Sequence, residues 1–214
     1  MPQKIVLVVG ASSGLGSAAA QCLAADGYIV YAAARSFANG AEPPTGCRAL
    51  ALDVSAADSV HAAVDTVLRE QGRVDALVCC AASFTMSPME ELPIDILADM
   101  MNVNFLGMAR CVQAVMPAMR AQKSGHIVLF SSLNGLLSIP FQGAYSATKH
   151  AVEAYGEALA QETLGMGIHV TVVEPGDCRG GSQKYRRVYL NENSPYAAAF
   201  EHGTAKIHHD ETNG

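Results

Sequence analysis

The sequence predicts an α/β fold: a doubly wound parallel sheet of six or seven strands with helices on both faces, three layers (α/β/α) in all. Three observations carry this. Short apolar runs alternate with helix-like stretches from one end of the chain to the other. The runs are apolar at consecutive positions, not at every second one, as in strands covered on both faces. The length, 214 residues, half of them hydrophobic and only 16% charged, suits one domain over 1–214 with a sizeable core.

The strands are expected at Ile5–Val9, Tyr28–Ala33, Arg48–Leu52, Ala76–Cys80, His126–Phe130 and His169–Val173. Each is short and rich in Val, Ile, Leu or Ala. Helices are expected at Gly14–Ala25, at Ala56–Glu70 behind a cap at Ser55, at Ile94–Arg120 as one long region, and at Gly143–Leu164. After Pro175 the pattern loosens. Residues 177–214 read as a substrate lid, with a helix from Ser194–Pro195 to about His209 and no further apolar strand.

Composition excludes several classes. The net charge of -6 and the scattered basic residues, clustered only at Lys184, Arg186 and Arg187, give no footprint for nucleic acid. The six cysteines (Cys22, Cys47, Cys79, Cys80, Cys111, Cys178) form no CxxC pair, so they read as buried, reduced thiols. Cys79 and Cys80 should point to opposite faces of their strand. His202, His208 and His209, near Asp210 and Glu211, have no closed metal-site spacing and read as a solvated tail; no metal is expected. The chain starts directly on a strand-like run without a signal-peptide pattern, and no apolar stretch reaches membrane-spanning length. The expectation is a cytoplasmic protein with no membrane partner.

Gly10-Ala11-Ser12-Ser13-Gly14-Leu15-Gly16 joins the first strand to the first helix. Glycines there let the backbone approach a ligand, and the helix presents unpaired N–H groups and its positive dipole end. Together these make a pyrophosphate site of Rossmann type. The second strand ends Ala34-Arg35-Ser36, with no acid to take a ribose 2′-hydroxyl. Arg35 offers a planar fork suited to a 2′-phosphate, so NADP(H) is the expected cofactor. Asp53, after the third strand, is either an adenine acceptor or a simple turn residue.

Tyr145 and Lys149 are four apart on an expected helix and so share a face. A nearby ammonium favours the phenolate, which would let Tyr145 exchange a proton near neutral pH. Ser131 and Ser132 end the fifth strand, where open α/β sheets bind ligands, and a hydroxyl there can support charge on a substrate oxygen.

The glycine loop, the Ser132…Tyr145-Ser146-Ala147-Thr148-Lys149 run and Asn102-Val103-Asn104 resemble the short-chain dehydrogenase/reductase family, and more loosely its hydroxysteroid/retinol dehydrogenase-like branch. The resemblance implies an oxidoreductase acting on a carbonyl or secondary alcohol. It implies a catalytic set of Asn104, Ser132, Tyr145 and Lys149, with Ser132 chosen over Ser131 by its thirteen-residue separation from Tyr145. Asn104 would hold a proton-relaying water reached through Lys149, and Lys149 would hold the nicotinamide ribose. The cofactor groove would be lined by Gly10, Ser12, Ser13, Gly14, Leu15, Gly16, Arg35, Ser36, Asp53, Val54, Cys80, Ala81 and Ala82, with Tyr145, Lys149, Pro175 and Gly176 at the nicotinamide.

Three positions depart from the family pattern. Val9 stands where a Thr is usual, Cys79-Cys80-Ala81-Ala82 replaces Asn-Asn-Ala-Gly, and Asp177-Cys178-Arg179-Gly180 lacks the expected Thr. Members run longer and end with a seventh strand, so a missing C-terminal strand is expected here. A homodimer through the helices holding Asn104 and Tyr145 is implied, with a tetramer the alternative. Phe84, Met86, Leu133, Leu136, Leu137, Phe141, Tyr185 and Tyr189 suggest an apolar pocket for a small carbonyl or alcohol. Met86, Met89, Met100 and Met101 read either as core or as cleft. The competing class is a non-catalytic NADP(H)-binding or sensing protein on the same fold.

Overall fold

The structure, a computed structural model, describes residues 3–176, 178 and 185–213, and for 208 and 210–213 the backbone alone. Asp177, Arg179, Gly180 and Lys184, named above, lie outside the described residues. So do the side chains of His208, Asp210 and Glu211.

In chain order the elements are β1 (Ile5–Val9), α1 (Gly14–Ala25), β2 (Ile29–Ala34), β3 (Arg48–Ala51), α2 (Ala57–Gln71), β4 (Ala76–Cys79), β5 (Phe84–Met86), α3 (Ile94–Met101), α4 (Gly107–Gln122), β6 (Gly125–Phe130), α5 (Gly143–Glu162), β7 (Ile168–Val173), β8 (Arg186–Val188) and α6 (Ala197–Asn213). Six strands form one parallel sheet in the order β3-β2-β1-β4-β6-β7. The order reverses direction between β1 and β4, which opens a crevice at their carboxyl ends.

Pleating decides which side chain joins which layer. Ile5, Leu7 and Val9 of β1 face a core shared with Val60, Val64, Val112, Val115 and Val152, from α2, α4 and α5. Val6 and Val8 face a smaller core closed by α1, with Ala20, Val30 and Phe37. Cys79 belongs to the first core and Cys80 packs against the second, the opposed pair expected of neighbouring strand positions. The second face stays open over β6 and β7, where His126 and His169 stack at 5.1 Å between ring centroids and are exposed.

Several boundaries differ from the sequence reading. Ser55 does not cap α2: Ala56 occupies that position, and the Ser55 hydroxyl donates to Asp53 at 2.6 Å. The expected long helix from Ile94 is interrupted by a π-helical turn, Asn102–Leu106, between α3 and α4. A parallel two-stranded ribbon, β5 with β8, was not expected; it ties the loop after β4 to the lid region. Ser194 accepts from the Tyr196 N–H and lies outside α6. Of the cysteines only Cys79 and Cys111 are buried, and Cys22 is exposed on α1. Among the described residues, no helix is long and apolar enough to cross a membrane.

Asp75 pins the amino end of β4. It is 3% exposed, accepts the Ile5 N–H at 2.8 Å and pairs with Arg73. Asp75→Ala should cost about 1–3 kcal/mol, the penalty of leaving that buried N–H without an acceptor. A urea denaturation midpoint unchanged from wild type would refute this.

Candidate active site

The glycine loop is held by both flanking strands. The N–H groups of Gly10 and Ala11 both donate to the Ala33 carbonyl, at 2.8 and 3.1 Å. Gly10 has φ +85, and a Cβ there would meet the Ala81 nitrogen at 2.5 Å. A Cβ on Gly16 would run into the Gly10 carbonyl. The loop therefore lies flat between β2 and β4, and only glycine permits it. Ser13 is the N-cap residue of α1 but makes no side-chain cap bond. The first N–H groups of α1 thus face the crevice uncapped by it.

Gly10, Gly14, Gly16, Ser12, Ser13 and Leu15 form this cradle; Leu15 is exposed. Arg35 follows β2 and is exposed. Beside it, Ser36 Oγ is buried without a hydrogen-bond partner. A buried hydroxyl without a partner is costly in a closed core and natural in a site that awaits a polar ligand. The glycine cradle and this orphaned hydroxyl fit a dinucleotide whose adenosine end lies beside Arg35.

The sequence left two readings open for Asp53, and the geometry favours the turn. Its carboxylate accepts from both the hydroxyl and the N–H of Ser55 at 2.6 and 2.9 Å, which holds it below the usual carboxylate range. Val54 is buried against Gly107, and its carbonyl accepts from Arg110, so it supports the groove from behind. Cys80 and Ala81 are half-buried under the loop and Ala82 is exposed. Burial pushes the Cys80 thiol up to about 12 and keeps it protonated.

Ser132, Tyr145 and Lys149 come together where β6 ends and α5 begins. Tyr145 is half-buried, its ring 4.6 Å from that of Phe84. Lys149 is 3% exposed, lies 5.5 Å from the Tyr145 ring centroid and donates to the Phe130 carbonyl at 2.7 Å. Burial pushes Tyr145 up to about 12, with the Ser132 hydroxyl acting in the opposite sense. The same burial pulls Lys149 down to about 8. Desolvation penalises whichever form is charged, so it moves an acid and a base in opposite directions.

Asn104 sits in the π-turn, 1% exposed. Its oxygen accepts from the Ser83 N–H at 2.6 Å, and its amide donates to the Ser83 carbonyl at 2.9 Å and to Thr148 at 3.1 Å. Thr148 in turn donates to the Tyr145 carbonyl at 2.7 Å. Both ends of the side chain are thus engaged with Ser83 and Thr148. Pro175 lies two residues past the end of β7, and its carbonyl accepts from the Leu133 N–H, which ties it to the Ser132 turn; Gly176 is exposed.

Sequence reasoning missed Asn134, which is buried. It donates to Gln142 and Ser146 at 3.0 and 3.1 Å, and its N–H donates to Ser132 Oγ at 3.2 Å. Its spacing of two from Ser132 was the available signal. Ser83 gave no signal, since its role is made by a turn 21 residues from Asn104.

The residues read as an apolar pocket are placed variously. Leu133, Leu136 and Leu137 are 43–61% exposed beside Ser132. Phe141, at φ +65, packs on Phe200 of α6. Tyr185 is exposed, and Tyr189 packs on Leu92 and Met100. Met86 and Met100 are core, while Met89 is exposed.

A family model described as short chain dehydrogenase matches residues 4–188. A 3-ketodihydrosphingosine reductase from Bacteroides thetaiotaomicron is 38% identical over the whole chain and 79% of its own length. Human 17-beta-hydroxysteroid dehydrogenase type 1 is 36% identical over 82% of this chain, which spans 57% of that protein. A solved short-chain dehydrogenase from Streptomyces avermitilis superposes with TM-score 0.85 at 36% identity, covering 96% of this chain and 78% of that one. ElxO with NADP bound superposes with TM-score 0.80 at 26% identity, covering 86% and 77%. The motifs, the sheet order and these likenesses agree, and the chain belongs to the short-chain dehydrogenase/reductase family of oxidoreductases.

Proposed function

We propose that this chain is an NADP(H)-dependent oxidoreductase that interconverts a carbonyl and a secondary alcohol on an apolar small molecule, with Tyr145 as acid and base. The reading is carried by one observation: the Tyr145 ring stands 5.5 Å from the ammonium of a buried Lys149, where Ser132 opens the turn after β6. NADPH, when bound, supplies the hydride. Arg35 and Ser36 would hold its 2′-phosphate, and the glycine loop with the start of α1 its pyrophosphate.

Ser132 and Tyr145 then hold the substrate oxygen between two hydroxyls. Tyr145 keeps its proton at neutral pH, so the site is set to donate as negative charge grows on that oxygen. Ser132 stabilises the same charge. This protonation state favours the reductive direction. Lys149 places a cation under the phenol and offers its ammonium to the ribose. Asn104 acts by position, through Thr148, on the turn that carries Tyr145. The exposed leucines of the Ser132 turn supply the apolar wall. The relatives' names, a keto reductase and a hydroxysteroid dehydrogenase, fit a carbonyl–alcohol exchange. Pairing of α4 and α5 with a second copy belongs to the same reading.

Fluorescence titration checks the cofactor. Arg35→Ala should weaken NADPH about 10- to 100-fold, the worth of a hydrogen bond to a charged group, and leave NADH unchanged. Equal losses for both nucleotides would defeat the phosphate assignment. Tyr145→Phe should lower kcat for ketone reduction by about 10²- to 10⁴-fold with nucleotide binding retained. Turnover near the wild-type rate would remove Tyr145 from the chemistry. The pH profile has a definite sign. Lys149 titrates at about 8 in the folded chain, so reduction should hold its rate below that pH and fall above it as the ammonium is lost. A rate that climbs through this window would contradict the role of Lys149.

A further inference from the structure

Glu153 lies one helical turn beyond Lys149 on α5, on the same face. Its Oε1 is buried and has no hydrogen-bond partner. The oxygen lies against the turn that follows Ser132. A Cβ on Gly135 would meet Glu153 Oε1 at 2.7 Å and Glu153 Cγ at 3.0 Å, and Ser131 Oγ closer still. Gly135 therefore has no side chain where the carboxylate and the Ser131 hydroxyl share the space. Ser131 Oγ in turn reaches the Lys149 carbonyl at 3.5 Å.

A buried acceptor without a donor is destabilising unless a field compensates it. The compensating charge is close at hand. Lys149 is itself buried, and its ammonium donates to a neutral carbonyl of β6. From β4 it faces the Cys79 and Cys80 thiols, and from α5 Tyr145 and Glu153. Cys79, Cys80 and Tyr145 are all pushed up, by burial or by neighbours, and carry no charge at neutral pH. Glu153 is the carboxylate in this set.

We propose that Glu153 is a positioning residue: its carboxylate, wedged between α5 and the Ser131–Gly135 turn, supplies negative charge that favours the ammonium form of the buried Lys149. The inference rests on the reading of Lys149 given above. Burial lowers the proton affinity of Lys149, and the field of Glu153 acts in the opposite sense. One residue thereby extends the pH range over which the site works, without touching substrate or nucleotide.

Heteronuclear NMR of the lysine ε-methylene signals in the full chain reads Lys149 directly, with Lys149→Met assigning its resonance. Glu153→Gln keeps the shape and removes the charge. Its Lys149 midpoint should fall, the direction expected when an opposite charge is lost. The alkaline limb of the turnover profile should move by the same amount, and Glu153→Asp should restore much of both shifts. If Glu153→Gln does not fold, Gly135→Ala serves, since its methyl displaces the carboxylate; it should shift the midpoint the same way. A Lys149 midpoint unchanged in the folded variant overturns the proposal. The NMR reading needs no turnover. A wild-type chain that reduces no ketone would therefore sink the proposed function and leave this inference to be decided by the midpoint alone.

Discussion

The structure depends on one close approach, that of Gly10 to the carboxyl end of β4. The loop after β1 donates twice to Ala33 of β2 and lies against the Cys80–Ala81 backbone, with no room for a single methyl group. Three strand ends are thereby drawn to one point. Because the sheet is parallel and reverses its order between β1 and β4, that point is also where the crevice opens. The cofactor cradle and the Ser132–Tyr145 pair are consequences of the same packing. The segment Cys79-Cys80-Ala81-Ala82, a departure from the family pattern, is compatible with it: Cys80 donates its N–H to Val9, and its small neighbours leave the loop its space.

Burial is the second organising influence, and it acts with opposite sign on the two titratable groups at the centre. Taking Tyr145 and Lys149 out of water favours the neutral form of each, so the tyrosine holds its proton more firmly and the lysine less. A helix that carried the pair on its solvent side would leave both near their ordinary values. The chain instead points this face of α5 at β6, with Ser146, Thr148 and Lys149 all buried, and satisfies their polar atoms within the protein: Asn134 for Ser146, Asn104 for Thr148, the Phe130 carbonyl for Lys149. This makes the site a polar network inside a core, where each member is held by a neighbour from another element.

The sheet was legible in the sequence because its signals are local. Ile5–Val9 is apolar at every position, and a strand buried on both faces needs nothing else to be recognised. The glycine loop and Tyr145–Lys149 were legible for the same reason, since spacing along one strand–turn–helix unit or one helix fixes their geometry. What escaped was non-local. The β5–β8 ribbon pairs residues about a hundred apart. The π-turn at Asn104 is paid for by bonds to Ser83 and Thr148, at separations of 21 and 44 residues. Ser55 reads as a cap, yet Asp53, two residues earlier, captures its hydroxyl.

Burial of the phenol bears on the direction of proton transfer. A phenol held protonated at neutral pH carries the proton that a reduction consumes, although a raised pKa makes it a weaker acid. The same burial that argues against an easily ionised Tyr145 leaves it protonated at the start of the cycle, near Ser132. The pair then divides the labour by environment. Ser132 sits at the end of β6, fixed by the Asn134 N–H, and Tyr145 rides on the first turn of α5. Residues 131–142 join their elements, and the turn at 133–135 is held to α5 by the bonds from Asn134 to Gln142 and Ser146. Rigidity in that short turn, more than any property of the tyrosine itself, sets the distance between the two hydroxyls, and so decides whether one substrate oxygen can reach both.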